Sequence, residues 1–475
     1  MFNKTITRNA AFNVIKQCVG ILVPIIIYPV ISRRLGVKSF GRVNFADSVV
    51  SCFMIIAMLG ISSYAVREGA RIRDTKSEIQ KFSNEVFTLN LTSLLVALVS
   101  LCLLTIVIPR LNSNVVIIAI FAIGMINTTI GRDWINVVYE DYAYISIRYV
   151  IFHIIGMILA LLLVRESDDY WVYALILVLM NTAANLINIF YSQKYSKYGL
   201  ANFSALSKHV KPVLFLFFIS LAVRIYVNSD IVMIGFLKDD TAVGIYSLAT
   251  KIYIIVKTVL NAITAVTIPR LSELYGKGDE KGFSNMILQL RKALLFFAIP
   301  AAIGLIFLSH DIVYILGGTE YISGHRVLQV LVIAMTFAVF GNCYANAMLI
   351  PMRKEKRFAL ATSVSAVLNI ILNLVLIPYM GIIGAAISTV ISEVVVLFMC
   401  KRSVTNYLIR LEKKYVIKVL FCSLLVGGCS YLISLLTLQP IWNIVITTIA
   451  GLAVYFAFQF LLDKKMIREL LSFKR

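Results

Sequence analysis

Hydrophobic residues run along this chain in long unbroken stretches and do not alternate with polar ones. A hydrocarbon core of about 30 Å needs roughly 20 apolar residues per helix, and inside it only helices or closed barrels satisfy every backbone hydrogen bond. A barrel would alternate, so the pattern predicts an all-α polytopic membrane protein. Turn signals and charge clusters divide it into fourteen transmembrane helices, near 10–32, 42–64, 85–109, 114–138, 144–164, 170–191, 213–237, 243–268, 293–310, 327–350, 358–378, 382–400, 416–436 and 441–462. The first run follows only Lys4 and Arg8 and has no small-residue cleavage site, so it is expected to be a retained helix and not a removed signal peptide.

Composition agrees with the pattern: 60% hydrophobic residues, 15% charged and a mean hydropathy of +0.88 exclude a soluble globular chain. The net charge of +21 does not require nucleic acid, because cytoplasmic loops of membrane proteins collect Lys and Arg. With the amino terminus inside, most of the 45 Lys and Arg fall on the cytoplasmic side. The first outer loop is the exception, crowding Arg33, Arg34, Lys38 and Arg42 together. An even number of helices returns the carboxyl terminus to the cytoplasm.

Motifs for catalysis or cofactors are missing. Seven cysteines show no CxxC spacing, and four histidines at 153, 209, 310 and 325 are too scattered to suggest a metal site. No HExxH, GxSxG or GxxxxGK[ST] occurs, and "GKGDEKG" at 276–282 lacks the phosphate-loop spacing. ATP hydrolysis is not expected, nor is any cofactor.

The two halves echo each other. "LGVKSFGRVNFADSV" (35–49) resembles "LKDDTAVGIYSLATKI" (237–252) with Gly41 over Gly244, an offset of 203 positions. Arg67 lies over Arg270 at the same offset, and Phe82-Ser83-Asn84 over Phe283-Ser284-Asn285 at 201. Six helices separate equivalent positions, so the halves read as parallel repeats about an axis along the membrane normal. The predicted organisation is an N-terminal six-helix lobe (1–209), a C-terminal six-helix lobe (210–412), and helices 13 and 14 with a tail (413–475).

Two lobes imply a cavity between them, and the embedded charges suggest what it holds. A charge in the bilayer interior costs on the order of 3 kcal/mol on insertion scales, so such residues should face a wet or paired interior. Lys16, Arg132, Arg148 and Lys418 lie within about two turns of a cytoplasmic end, near enough to snorkel. Arg224, Lys251 and Lys257, in helices 7 and 8, sit at or near mid-depth. Arg224 and Asp230 are about 120° apart around one helix and so serve different neighbours. Asn228 continues the stripe of Arg224, and Asn261 that of Lys257. Asparagine pairs also mark helices 6 (Asn181, Asn185, Asn188), 10 (Asn342, Asn346) and 11 (Asn369, Asn373), as interhelical glue or as a hydrated wall. A cationic cavity attracts an anion, and a guanidinium grips phosphate oxygens in bidentate fashion. Asp47, Asp230 and Glu393 are open to two roles, structural pairing or proton or sodium coupling.

"YPVISRRLGVKSFGRVNFADS" (28–48), "GRDWINVVYEDYAYISIR" (131–148), "YVNSDIVMIGFLKDDTAVGIYSLATKI" (226–252), "IPRLSELYGKGD" (268–279) and "IPYMGIIGAAISTVISE" (377–393) together resemble bacterial polysaccharide flippases of the O-antigen and capsule repeat-unit type. That superfamily also holds multidrug and toxin extruders and the lipid II flippase. Order and spacing carry the likeness more than any single stretch. The resemblance implies an alternating-access transporter, not an enzyme. It would move undecaprenyl-diphosphate-linked oligosaccharide from the cytoplasmic to the outer leaflet of the bacterial inner membrane, in contact with membrane lipid and with the polysaccharide polymerase machinery as a partner. Beside the lipid II flippase, Arg33 or Arg34 falls near its first-helix arginines, Asp47 near its second-helix aspartate, and Lys251 where it has arginine. The substrate contacts expected are therefore Arg224, Lys251, Lys257, Asn228 and Asn261, with Arg33, Arg34 and Arg42 as a gate or headgroup-binding loop and Lys16, Arg132 and Arg148 as cytoplasmic-side contacts. The alternatives are an ion-coupled multidrug extruder, which would want an acidic cavity, and a flippase for another cell-wall precursor. A polymerase or ligase would carry a large outer loop, and the longest here runs only from about 311 to 326.

Overall fold

The computed structural model describes residues 2–462, with side chains for 12–214, 217 and 228–462. All regular structure among them is helical. The principal helices are α1 (Phe2–Met58), α2 (Ile61–Ile72), α3 (Lys76–Val107), α4 (Val115–Gly131), α5 (Tyr142–Leu163), α6 (Ser167–Lys194), α7 (Ser207–Leu237), α8 (Asp240–Gly276), α9 (Glu280–Gly317), α10 (Gly324–Leu349), α11 (Glu355–Met380), α12 (Ile382–Ser403), α13 (Lys413–Ser434) and α14 (Pro440–Leu462).

Among the described residues, eleven stretches are long and apolar enough to cross a membrane. They differ from the fourteen expected in three places. The first two predicted runs fall in one stretch, Phe12–Ile72, kinked at Gly36, whose φ of 70° lies in the left-handed region that an L side chain resists, and broken again at the turn Leu59–Gly60 between α1 and α2. The fourth run is a helix of 17 residues, short for a span. The seventh lies in α7, where the side chains of 218–227 are outside the described residues.

The chain forms two compact units, Met1–Gly244 and Ile245–Arg475. In the first, α1 packs on α5, α3, α7 and α4, and α4 packs on α6. One end of this unit is cemented by a core containing Tyr64, Ile79, Phe82, Trp134 and Val138. The division falls one helix later than the expected lobe boundary at 209/210 because α7 lies along α1. A Cβ on Gly235 would stand 2.1 Å from the Phe45 ring, a spacing only glycine permits. In the second unit α10 packs on α12, α12 on α11, and α13 and α14 both lie on α9. Phe296, Tyr415, Val419, Cys422 and Tyr455 form the core under that helical pair.

The turn before α5 has an acid-sensitive tie. Asp141 accepts hydrogen bonds from Tyr191 Oη (2.6 Å), Tyr195 Oη (2.9 Å) and Lys194 Nζ (3.2 Å). Burial pushes its carboxyl up, but these donors outweigh burial and hold it below the usual 3.8. A depressed folded pKa adds stability above the unfolded value that is lost as pH falls through the folded one. The thermal unfolding midpoint of the detergent-solubilised protein should therefore drop between about pH 5 and pH 3, and Asp141→Asn should flatten that acid limb. An unchanged limb in the variant would remove Asp141 as its source.

Candidate functional site

The first unit contains a polar cavity of about 610 Å³, lined by Asp47, Ser51 and Met54 of α1, by Thr128 of α4 and by Asn181 and Thr182 of α6. Asp47, placed among the ion-coupling candidates by sequence, is exposed and is the only ionisable residue among the described residues of the lining. Asn181 and Thr182 fall in a π-wound turn, Leu179–Ala183. Such bulges inside α-helices are frequent at functional sites because the extra residue re-aims the side chains around it.

Several cations of the first unit are bound to protein. Arg34 Nη1 donates to the carbonyls of Leu161 (2.6 Å) and Val164 (2.7 Å) at the carboxyl end of α5, where a helix presents unsatisfied acceptors and partial negative charge. Arg42 donates to Asn114 Oδ1 and to the Ser113 carbonyl, both at 3.1 Å, and stacks over Tyr170. These contacts give the crowded first loop an internal use, and Arg33, the third gate candidate, is exposed. Arg132 and Arg148 do not snorkel. Arg132 is 2% exposed, donates to Ser83 Oγ and the Ser196 carbonyl at 3.0 Å each, and lies 3.4 Å from the Tyr198 ring. Arg148 pairs with Asp133, donates to the Ala184 carbonyl at 3.1 Å and faces the Tyr144 ring. Lys16 sits 5.1 Å from the Tyr149 ring. Asn228 is half-buried and Asp230 buried on α7. The Arg224 side chain lies outside the described residues.

In the second unit three of the expected residues share one helix, and one of them meets a carboxylate. Lys257 Nζ stands 2.8 Å from Tyr253 Oη and 3.8 Å from Glu393 Oε1, and Tyr253 Oη donates to the same oxygen at 3.2 Å. The side chain of Lys257 keeps 26% exposure while that of Glu393 keeps 8%. Lys251, two turns back on α8, is half-buried. Asn261 has its side-chain oxygen buried without a partner among the described residues. Val256, Val259 and Leu260, flanking Lys257, form part of an apolar groove of about 440 Å³ completed by α9, α13 and α14, including Pro300 and Gly451.

Two clusters escaped the sequence reading. Glu85, 2% exposed, lies 2.9 Å from His209 Nε2 and 2.9 Å from Lys208 Nζ, and His209 Nδ1 is 2.7 Å from Tyr64 Oη. This set fastens the start of α7 to α2 and α3. Arg110 binds Asp240 at 2.6 Å, donates to the Gly235 carbonyl at 2.9 Å and lies over Phe45. Its partners are more than a hundred positions away in the chain, so no local pattern announces it.

The comparisons with known proteins follow the same lines. A model of the family described as "Polysaccharide biosynthesis protein" matches residues 6–275, more than half of the chain, and the MatE model matches 212–375. A candidate O-antigen transporter of Escherichia coli (strain K12) is 21% identical, covering 85% of this chain and 97% of its own length. One of Shigella dysenteriae is 25% identical, covering 80% and 95%. Among solved structures, the lipid II flippase MurJ in an inward closed conformation superposes with a TM-score of 0.77 at 18% identity, over 96% of this chain and all of that one; at that identity it speaks for the fold. The chain belongs to the polysaccharide biosynthesis protein family.

Proposed function

We propose that the protein carries undecaprenyl-diphosphate-linked oligosaccharide repeat units, of the O-antigen or capsule type, from the cytoplasmic to the outer leaflet of a bacterial inner membrane with both termini in the cytoplasm. Transport proceeds by alternating access of two six-helix lobes, 1–209 and 210–412, with 413–475 as an appended pair and tail. One observation carries the reading: the same stretch of α8 bears a partly exposed cation, Lys257, and a wall of the apolar groove. A lipid whose charge sits between a glycan and a polyprenyl chain needs both environments. In the resting pair Glu393 compensates Lys257, and an arriving diphosphate competes for that cation with the help of Lys251 and Arg224. Asn228 and Asn261 extend the polar surface, and Asp230 and Glu393 are the carboxylates through which an ion gradient would act. The names of the Escherichia coli and Shigella relatives support the glycan cargo.

Replacing Arg224, Lys251 and Lys257 singly by alanine, in cells lacking the chromosomal copy, should cut surface polysaccharide at least about tenfold at matched protein level, since losing a charge-assisted phosphate contact costs more than 1.4 kcal/mol. Normal export by all three variants would refute the proposal. A multidrug extruder is the second reading, favoured by the Asp47 carboxylate in the cavity of the first unit. Efflux of a cationic dye in the same cells, abolished by Asp47→Asn, would move the assignment there.

A further inference from the structure

Between α6 and α7 the chain leaves helical structure over 195–202 and then makes one short turn, Phe203–Leu206. This linker lies along the first turns of α3, and its ties to that helix descend in order. The Lys197 amide donates to Gln80 Oε1 and the Lys197 carbonyl accepts from Gln80 Nε2, both at 2.8 Å. Farther on, the Ala201 amide donates to Thr88 Oγ1 at 2.9 Å. From Gln80 to Thr88 a helix rises about 12 Å, and beyond Thr88 α3 continues as the apolar run of a membrane span. The linker therefore starts level with the charged end of α3, at Lys76 and Lys81, and dips to the edge of its apolar part.

Irregular backbone at that depth needs partners from the protein, because lipid offers none. It has them in Gln80, in Thr88 and in Arg132, which donates to the Ser196 carbonyl at 3.0 Å. Gly199 passes so near α3 that a Cβ there would stand 2.7 Å from Asn84 Nδ2. The side chains left outside at the bottom of the dip are apolar: Leu200 is 72% exposed and Phe203 73%. Leu206, closing the short turn, is buried in the core with Tyr64 and Phe82. The flanks are basic. Lys194, Lys197, Lys208 and Lys211 are all exposed, and the sequence has no acidic residue from Ser192 to Lys211. Lys194 and Lys208 spend charge on Asp141 and Glu85.

We propose that this linker is a wedge in the bilayer interface, with Leu200 and Phe203 among the acyl chains and Lys197 and Lys211 on the phosphates of acidic phospholipids. Lysine stems are long enough to carry their charge to the headgroups while apolar neighbours stay below them. Segments of this kind bind by buried apolar area together with attraction to anionic lipid. Membrane residence is all that this requires, whatever the cargo.

The test uses the full-length protein carrying Phe203→Trp, in nanodiscs of equal phosphatidylglycerol and phosphatidylcholine with one lipid or the other brominated on its acyl chains. Fluorescence of the unmodified protein, from its three tryptophans, is subtracted. The added tryptophan should be quenched at least about twofold more by brominated phosphatidylglycerol than by brominated phosphatidylcholine, since each lysine near an anionic surface attracts such lipid by about 1 kcal/mol. Adding Lys197→Gln and Lys211→Gln should make the two lipids quench alike. Absence of quenching by either lipid overturns the wedge. Equal quenching before the lysines are replaced overturns the assignment to acidic phospholipid, and a preference that survives their replacement overturns the part given to Lys197 and Lys211. Loss of the preference on adding farnesyl diphosphate would hand the surface to a diphosphate lipid and overturn the assignment as well.

Discussion

Lys257→Met is expected to abolish polysaccharide export and to lower stability by about 2–3 kcal/mol, whereas the double variant Lys257→Met/Glu393→Gln should regain the stability without regaining export. The reason is the asymmetry of the pair. Glu393 has 8% of its side chain exposed and Lys257 26%, so removing the lysine leaves a carboxylate in a poorly solvated place. Breaking a fully buried pair costs roughly 3–5 kcal/mol, and the partial exposure of Lys257 reduces that figure. Neutralising both partners removes the stranded charge, and Tyr253 Oη, 3.2 Å from Glu393, can donate to the amide oxygen of a glutamine as it does to the carboxylate. Thermal unfolding of the three purified proteins, read as a double-mutant cycle, gives the structural part of the effect. Surface polysaccharide at matched protein level gives the functional part. Full export by the double variant would mean that Lys257 exists to pair Glu393 and takes no part in binding cargo.

The second large effect is steric. Gly41→Ala should destabilise the protein by about 3 kcal/mol, the upper range for forcing extra atoms into a packed contact, and export should fall with it. A Cβ on Gly41 would stand 1.8 Å from the carbonyl oxygen of Asp240 and 2.9 Å from the nitrogen of Gly244, and one on Gly244 would stand 2.2 Å from the carbonyl oxygen of Val37. The obstacles are backbone atoms, which cannot rotate away as a side chain tip can. The contact is reciprocal: Gly41 meets Asp240 while Gly244 meets Val37, and both Gly41 to Gly244 and Val37 to Asp240 are steps of 203 positions, the offset of the internal repeat. Gly428 is the control. Nothing lies within 4 Å of a Cβ there, so Gly428→Ala should be neutral or stabilising by up to about 1 kcal/mol, the helix penalty of glycine. A Gly41→Ala protein with the unfolding midpoint of the unmodified chain would show that this approach is not held in the membrane.

Some of the site was legible before any coordinates. The embedded residues Lys257 and Glu393 stood out because charges in apolar runs are costly enough to demand a reason, and they lie side by side in the second unit. Asp47 stood out on the same ground and lines the cavity of the first. The offset that aligned Gly41 with Gly244 marked two residues that touch. Other expectations needed the third dimension. The basic first loop looked like a gate, yet Arg34 reaches carbonyls 127 and 130 positions away and Arg42 reaches Asn114, 72 away. His209 looked like one of four isolated histidines, and it stands between Tyr64 and Glu85. A π-wound turn inside α6 has no mark in an apolar run, because the same residues wind equally well as α-helix until neighbouring helices favour one form.

Membrane residence and helical class were therefore written in the chain alone: transfer of a segment into lipid is close to a sum over its own residues, and the hydrogen bonds of a helix close within four. Partnership was not. Whether Arg148 snorkels or pairs with Asp133, whether Arg110 finds Asp240 and whether Lys257 leans on Glu393 depends on which distant turns are brought within a few ångströms, and electrostatic energy at those distances changes faster with geometry than any one-dimensional pattern can record.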